Sequence, residues 1–245
     1  MRQGMKRLFG EPKEFKSEEQ RAGVMAMIEG ASPLVVVMAT GGGKTLLIML
    51  PAVLKGSKTT VVVTPLTALA KDLMKRCNDA KIDCIRWSRS CQRRASIVVV
   101  VAETATTSEF GRYVVDLHLS KRLDRIIFDE AQKLVTDVNY RPKLLELKRL
   151  SIPCQLGFLS GTLPPTMEAD LEKVMVLGKP TYIRGQTNRS NFRYSVVVHS
   201  EDPEDKAVNV VESVKAEPGM TYLYASLHHA VIFLYIKWCR PDITP

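Results

Sequence analysis

The apolar run Leu34 to Met38 leads straight into Gly41-Gly42-Gly43-Lys44-Thr45, and a helix-compatible stretch, Leu46 to Leu54, follows at once. A buried strand feeding a glycine loop at a helix start restricts the fold more than any other segment. Three consecutive glycines let backbone N–H groups turn toward an anion where a side chain would collide, and the helix N-terminus adds partial positive charge. Lys44 is long enough to reach terminal phosphates, and the Thr45 hydroxyl can ligate Mg²⁺. With Thr40, these residues form a candidate phosphate cradle. Met38 stands where the general pattern has glycine. A flexible glycine turn beside a solvated lysine is the alternative, and the order of strand, glycines, Gly-Lys-Thr and helix argues against it.

Short β-branched runs recur at Leu34–Met38, Thr60–Thr64, Ile97–Val101, Arg125–Asp129 and Gln155–Ser160. Helical patterns lie around and between them: Ser17–Glu29, Lys44–Leu54, Leu66–Asn78, Ser108–Leu119, Pro142–Leu150 and Pro165–Lys173. Near-continuous apolar strands alternating with helices predict an α/β fold, a mainly parallel sheet sandwiched by helices. Ser17, with Glu18, Glu19 and Gln20 behind it, predicts a capped helix start. The polar, basic stretch Lys179–Arg193 predicts a break. Beyond it, Tyr194–His199 and Met220–Ala225 read as strands and Asp202–Ala216 as a helix, the first βαβ unit of a second domain. The expected division is a domain over 1–180, a linker over 181–193 and a partial domain over 194–245.

Arg125-Ile-Ile-Phe-Asp129-Glu130-Ala-Gln132 ends a strand in two adjacent carboxylates, at the sheet edge where ligands of parallel sheets bind. Asp129 can hold Mg²⁺, directly or through water, and Glu130 can orient or deprotonate an attacking water. Alone, an Asp-Glu pair is as well explained as a helix cap. Downstream of a phosphate loop the chemical reading prevails.

Charge and cysteines narrow the class. Lys and Arg total 35 against 26 Asp and Glu, a net +9 that favours a polyanionic partner, nucleic acid first. The five cysteines include no Cys-x-x-Cys pair, so neither a disulfide framework nor a zinc site is indicated. The charged start lacks the apolar core of a secretory signal, and no run approaches a bilayer span; an intracellular protein with no membrane partner is expected. Arg86-Trp87-Ser-Arg89, with Arg93-Arg94, could grip a strand by phosphate contacts and one stacked base. A solvated arginine face with Trp87 partly buried is the favoured reading. Lys121-Arg122 and Lys148-Arg149 are read the same way, and His228 and His229 receive no role.

Taken together, the motifs resemble those of superfamily 2 helicases of the RecQ type, including divergent fungal RecQ-like members, over roughly Leu8 to Ala225. The resemblance rests on Phe9-Gly10, Phe15-Lys16 and Gln20; Val37 to Thr45; Thr64-Pro65-Leu66; Asp129-Glu-Ala-Gln132; Tyr140-Arg141-Pro142; Ser160-Gly161-Thr162; and Arg189-Ser-Asn191-Phe-Arg-Tyr194. It implies a RecA-like ATP-binding domain followed by the incomplete start of a second one. ATP and Mg²⁺ are the implied cofactors, with Thr45 and Asp129 at the metal. Single-stranded DNA, or a duplex with a single-stranded tail, is the implied partner, in the nucleus.

By the same resemblance Gln20 reads the adenine edge and Lys16, where the family usually has Arg, sits near the nucleotide. Thr64 and Pro65 present helix N–H groups to a DNA phosphate, while Ser160 and Thr162 link the two sites. Apart from the resemblance, Ser160-Gly161-Thr162 reads as an ordinary turn. Gln132 replaces the usual His, the loop Thr136–Tyr140 lacks the family's Trp and His, and no second-domain arginine motif follows Ala225. The implied activity is ATP-driven 3′-to-5′ unwinding of DNA, with hydrolysis by this chain expected to be slow or absent and unwinding absent. The alternatives are a non-enzymatic nucleotide- or nucleic-acid-binding remnant and a P-loop kinase or transporter ATPase, the last disfavoured by the Asp129 and Ser160 motifs at helicase spacing.

Overall fold

The computed structural model describes residues 1–11, 13–138 and 140–187, and beyond them the backbone of three strands within 192–238. The chain divides into two compact units, Met1–Thr187 and Asn188–Pro245.

In the first unit the elements follow in the order α1 (Arg2–Phe9), α2 (Glu18–Glu29), β1 (Leu34–Val37), α3 (Thr45–Ala52), β2 (Thr59–Thr64), α4 (Thr67–Asp79), β3 (Cys84–Arg86), β4 (Ile97–Val101), α5 (Ala102–Ala105), α6 (Ser108–Leu119), β5 (Leu123–Phe128), α7 (Lys133–Thr136), β6 (Gln155–Ser160), α8 (Glu168–Met175) and β7 (Thr181–Arg184). Pro142–Leu150, expected as a helix, winds as a 3₁₀ helix.

The seven strands form one sheet in the order β3-β4-β2-β5-β6-β1-β7, and every neighbouring pair is parallel. Alternate residues of each strand feed two cores. Val35, Val61, Val98, Ile126 and Phe158 face α6, α8 and the 3₁₀ segment, and Phe128 stacks on Phe158 with ring centroids 5.0 Å apart. Leu34, Val36, Val62, Val99 and Ile127 face α1 to α4. Strands buried on both faces cannot show polar alternation, so the β-branched runs in the sequence are continuous.

Local signals set the helix boundaries. The Ser17 hydroxyl accepts the Gln20 amide at 3.2 Å, so the expected cap at α2 forms. Pro51 lies in the last turn of α3, where its missing N–H and its ring stop the helix. Five elements were not expected, two of them the four-residue helices α5 and α7. α1 has a short, basic sequence, and it is held by burying Met5 and Leu8. β3 has only three residues. β7 lies inside the expected linker 181–193; its polar Thr-Tyr-Ile-Arg sequence suits an edge strand paired on one side with β1.

In the second unit, β8 (Phe192–His199) and β9 (Met220–Leu227) contain the two expected strands. They do not pair. β10 (Ala230–Trp238) runs between them, antiparallel to both, so adjacent parallel strands of a βαβ unit are not what the described backbone shows. The expected helix Asp202–Ala216 and the His228-His229 pair lie outside the described residues.

Candidate nucleotide site

The loops after β1, β5 and β6 leave from three neighbouring strand ends, the carboxyl edge where parallel sheets bind ligands. After β1 the chain turns through Gly41 (φ 84°) and Gly43 (φ 87°), left-handed conformations that favour glycine. Gly43 is constrained twice: a Cβ there would lie 2.2 Å from Gln20 Nε2. That amide donates to the Gly43 carbonyl at 3.2 Å, while Gln20 Oε1 accepts the Lys16 N–H at 2.7 Å. Lys16 Nζ donates to the Gly41 carbonyl at 3.1 Å. Gln20 and Lys16 therefore pin the α2 entry to the glycine loop. Gln20, buried at 3% exposure, keeps one amide hydrogen and one acceptor lone pair for a base edge.

Lys44 Nζ donates to the Met38 carbonyl at 3.2 Å, which folds the side chain back over the loop, and Thr45 opens α3. Beside the loop is a cavity of about 430 Å³, walled by Met5, Leu8 and Phe9 of α1, by Gln20, and by Leu46 and Met49 of α3. Its size and apolar lining suit a planar base. Lys13 Nζ lies 5.0 Å from the centre of the Phe9 ring. The sequence does not disclose the α1 wall beyond Phe9, because Met5 and Leu8, one i,i+3 pair, are too short a helical pattern.

β5 delivers the carboxylates. The Asp129 N–H donates to the Val63 carbonyl at 2.9 Å, and Glu130 takes φ 51°, a conformation that costs a non-glycine residue free energy and marks functional sites. Burial, and then the Glu130 charge, push the Asp129 carboxyl from 3.8 up to about 6, while Lys44 pulls it down. A neighbouring divalent cation would restore the charged form. Among the described residues no group of three or more His, Cys, Asp or Glu could hold a metal alone. Thr45 and Asp129 fit Mg²⁺, which typically takes one or two carboxylates and completes its shell with phosphate and water.

Raising Asp129 from 3.8 to about 6 costs about 3 kcal/mol of folding stability, absent below pH 4 and fully present above pH 6, because the folded state binds the proton more tightly. Asp129→Asn is expected to raise apo-protein stability by about 2–3 kcal/mol at pH 8 and to leave it nearly unchanged at pH 4. Urea unfolding at the two pH values checks this; equal effects at both would contradict the burial argument.

Gln132 connects the carboxylates to the end of β6. Its Nε2 donates to Glu130 Oε2 at 2.8 Å and its Oε1 accepts from Ser160 Oγ at 2.6 Å. Ser160 Oγ in turn accepts the N–H groups of Thr162 and Leu163, at 3.1 and 2.9 Å. An amide serves here because the bridge needs one donor and one acceptor.

The residues expected at nucleic acid divide between buried supports and exposed groups. Thr64 is fully buried and its hydroxyl donates to the Leu66 carbonyl; Pro65 is buried as well. They position the start of α4, where Leu66 and Thr67 are exposed and no side chain caps the first N–H groups. Thr162 is exposed. Trp87, 3% exposed, packs edge-on against Phe110 and cannot stack a base. Arg89, Arg93 and Arg94 pair with Glu109, Asp83 and Asp116, so they fasten the β3–β4 crossover to its surroundings.

A glycine loop at a helix start, a strand ending in Asp-Glu and an amide bridge between two sheet-edge loops define a P-loop nucleotide-binding domain of the motor type. The chain belongs to the DEAD/DEAH box helicase family, whose model matches residues 17–170. It is 28% identical over 228 residues to the ATP-dependent helicase SGS1 of Saccharomyces cerevisiae, covering 84% of this chain and 16% of that protein. Over 218 residues it is 28% identical to the ATP-dependent DNA helicase Q5 of Mus musculus, covering 80% of this chain and 22% of that protein. The chain thus spans between 16% and 22% of the length of these relatives. Among solved structures, that of the DUF1998 helicase MrfA bound to DNA matches the fold with a TM-score of 0.55 at 18% identity, over 69% of this chain and 25% of that one.

Proposed function

We propose that the chain is the ATP-binding motor domain of a RecQ-type DNA helicase, with Mg²⁺-dependent ATP hydrolysis at the site after β1 and β5. The observation that carries this reading is the hydrogen-bonded path from Glu130 through Gln132 to Ser160 beside the glycine loop. The loop N–H groups and Lys44 receive the phosphates, and Gln20 and the α1 wall receive the base. Thr45 and Asp129 hold Mg²⁺, which supplies charge neutralisation at the phosphates. Glu130 orients the attacking water and takes its proton, and the Gln132 amide holds Glu130 in place.

The polyanionic partner is single-stranded DNA, or a duplex with a single-stranded tail, translocated 3′ to 5′ in the nucleus as the RecQ resemblance implies. No helix among the described residues is long and apolar enough to cross a membrane. The net charge of +9 and the uncapped start of α4 support a sequence-indifferent grip on the phosphate backbone. Affinity for single-stranded DNA is therefore expected to fall as salt rises, with a log–log slope of about −0.7 per phosphate contacted. Fluorescence anisotropy from 50 to 200 mM salt, on the order of the range where such binding collapses, checks it. A salt-independent affinity would contradict an electrostatic grip.

A second reading, a binding module without turnover, draws on the second unit, where β10 separates β8 from β9. The two readings part at a DNA-dependent ATPase assay: turnover lost in Glu130→Gln supports the motor, and nucleotide binding without turnover supports the module.

A further inference from the structure

The path from Glu130 does not end at Ser160. The Leu163 N–H donates to Ser160 Oγ, and the Leu163 carbonyl accepts from Arg184 Nη1 at 2.9 Å. Nη2 of the same guanidinium pairs with Glu168 at the start of α8. Arg184 is the last residue of β7 and lies in register with Val37, the last residue of the strand that enters the glycine loop. One residue further, the Gly185 N–H donates to the Val37 carbonyl at 2.8 Å. The first unit ends at Thr187. A single guanidinium thus ties the loop after β6 to the strand through which the chain leaves the nucleotide-binding unit, and the same strand end is hydrogen-bonded to the base of the phosphate loop.

We infer that Arg184 is a positioning residue that passes the state of the nucleotide site to the exit segment Gly185–Thr187. The physical basis is that the Leu163 carbonyl it holds, and the Val37 carbonyl held by the N–H of the next residue, Gly185, are each tied to the site. Leu163 moves with Ser160, and Ser160 moves with Gln132 and Glu130. Val37 moves with the glycine loop. When nucleotide tightens the loop and reorients Glu130, the Arg184 clasp carries both displacements to one point of the backbone. Tyr182, on the same strand, also reaches α8, through its hydroxyl to Glu172 Oε1 at 2.8 Å. It has no bond to the Leu163 loop, so it shares the structural role of Arg184 and lacks the link. Arginine is required because two acceptors in different directions need a planar fork; a lysine ammonium on a flexible stem does not hold both.

The inference rests on the nucleotide reading of the site, and its test separates the two. Hydrogen exchange of the Gly185 amide is followed in the full 245-residue chain with and without a saturating, non-hydrolysable MgATP analogue, whose binding is measured separately by calorimetry. In wild type the analogue is expected to slow exchange at Gly185 by about fivefold or more. In Arg184→Ala, and in the milder Arg184→Lys, analogue affinity stays within about threefold while the nucleotide-dependent slowing falls below about twofold. Tyr182→Phe retains the slowing. A purely structural role for Arg184 would raise exchange equally with and without nucleotide and keep the ratio. Retention of the wild-type ratio in either Arg184 variant, or no slowing in nucleotide-bound wild type, would overturn the inference alone. A wild-type chain that binds no analogue would overturn the nucleotide reading and the inference with it.

Discussion

Glu130→Gln is expected to lower ATP turnover by about 10²- to 10⁴-fold, the usual contribution of a positioned general base. Nucleotide binding should survive, because the proposed role of Glu130 is at the attacking water while the phosphates are assigned to the loop N–H groups and Lys44. Binding is expected to tighten slightly: the Glu130 charge helps push the Asp129 carboxyl up to about 6, and removing it makes Asp129 a better partner for Mg²⁺. The glutamine retains an oxygen that can accept from Gln132 Nε2, so the bridge to Ser160 persists and the loss is confined to the proton transfer. Steady-state hydrolysis with single-stranded DNA, paired with a binding titration, separates kcat from affinity. Equal turnover in wild type and variant would remove Glu130 from the mechanism.

Lys44→Ala is expected to weaken MgATP binding by about 10²-fold, since a charge-assisted hydrogen bond to phosphate contributes about 1.5–3 kcal/mol. A second effect runs in the same direction. Lys44 lowers the Asp129 carboxyl, so its loss leaves that group more protonated near neutral pH and a poorer metal partner. The variant should therefore show its largest deficit at pH 6 to 7 and recover partly toward pH 8. Displacement of a fluorescent ATP analogue across that range measures both terms. Wild-type affinity in Lys44→Ala would mean that the glycine loop binds no phosphate.

The sequence made the chemical centre legible because its parts are local. A glycine run before Lys-Thr and an Asp-Glu pair at a strand end each fit within eight residues, and five continuous apolar strands sufficed to fix a parallel sheet. What escaped depends on distant contacts. β7 is polar because it is an edge, and only its pairing with β1 makes it a strand. α1 owes its place to Met5 and Leu8 packing against α3, a contact more than 35 residues away in sequence. Gln20 matches a base-edge residue in sequence; its two bonds to Lys16 and Gly43 add a structural role that depends on contacts between separate segments. Thr64 and Pro65 matched a nucleic-acid motif, yet burial makes them supports for the exposed start of α4. Arg184 carried no motif at all and becomes visible only when the loop after β6 is seen folding back onto β7.

In the proposed mechanism the glycine loop, Lys44, Thr45 and Asp129 form one Mg²⁺-dependent ATP site. Calorimetric titration of the 245-residue chain with a non-hydrolysable ATP analogue, in excess Mg²⁺ and again after chelation, tests it most directly. Saturable one-to-one binding is expected to weaken by about tenfold or more when the metal is removed, because the Thr45–Asp129 contribution to the phosphates is then lost. No saturable binding up to millimolar analogue, or an affinity indifferent to Mg²⁺, would contradict it.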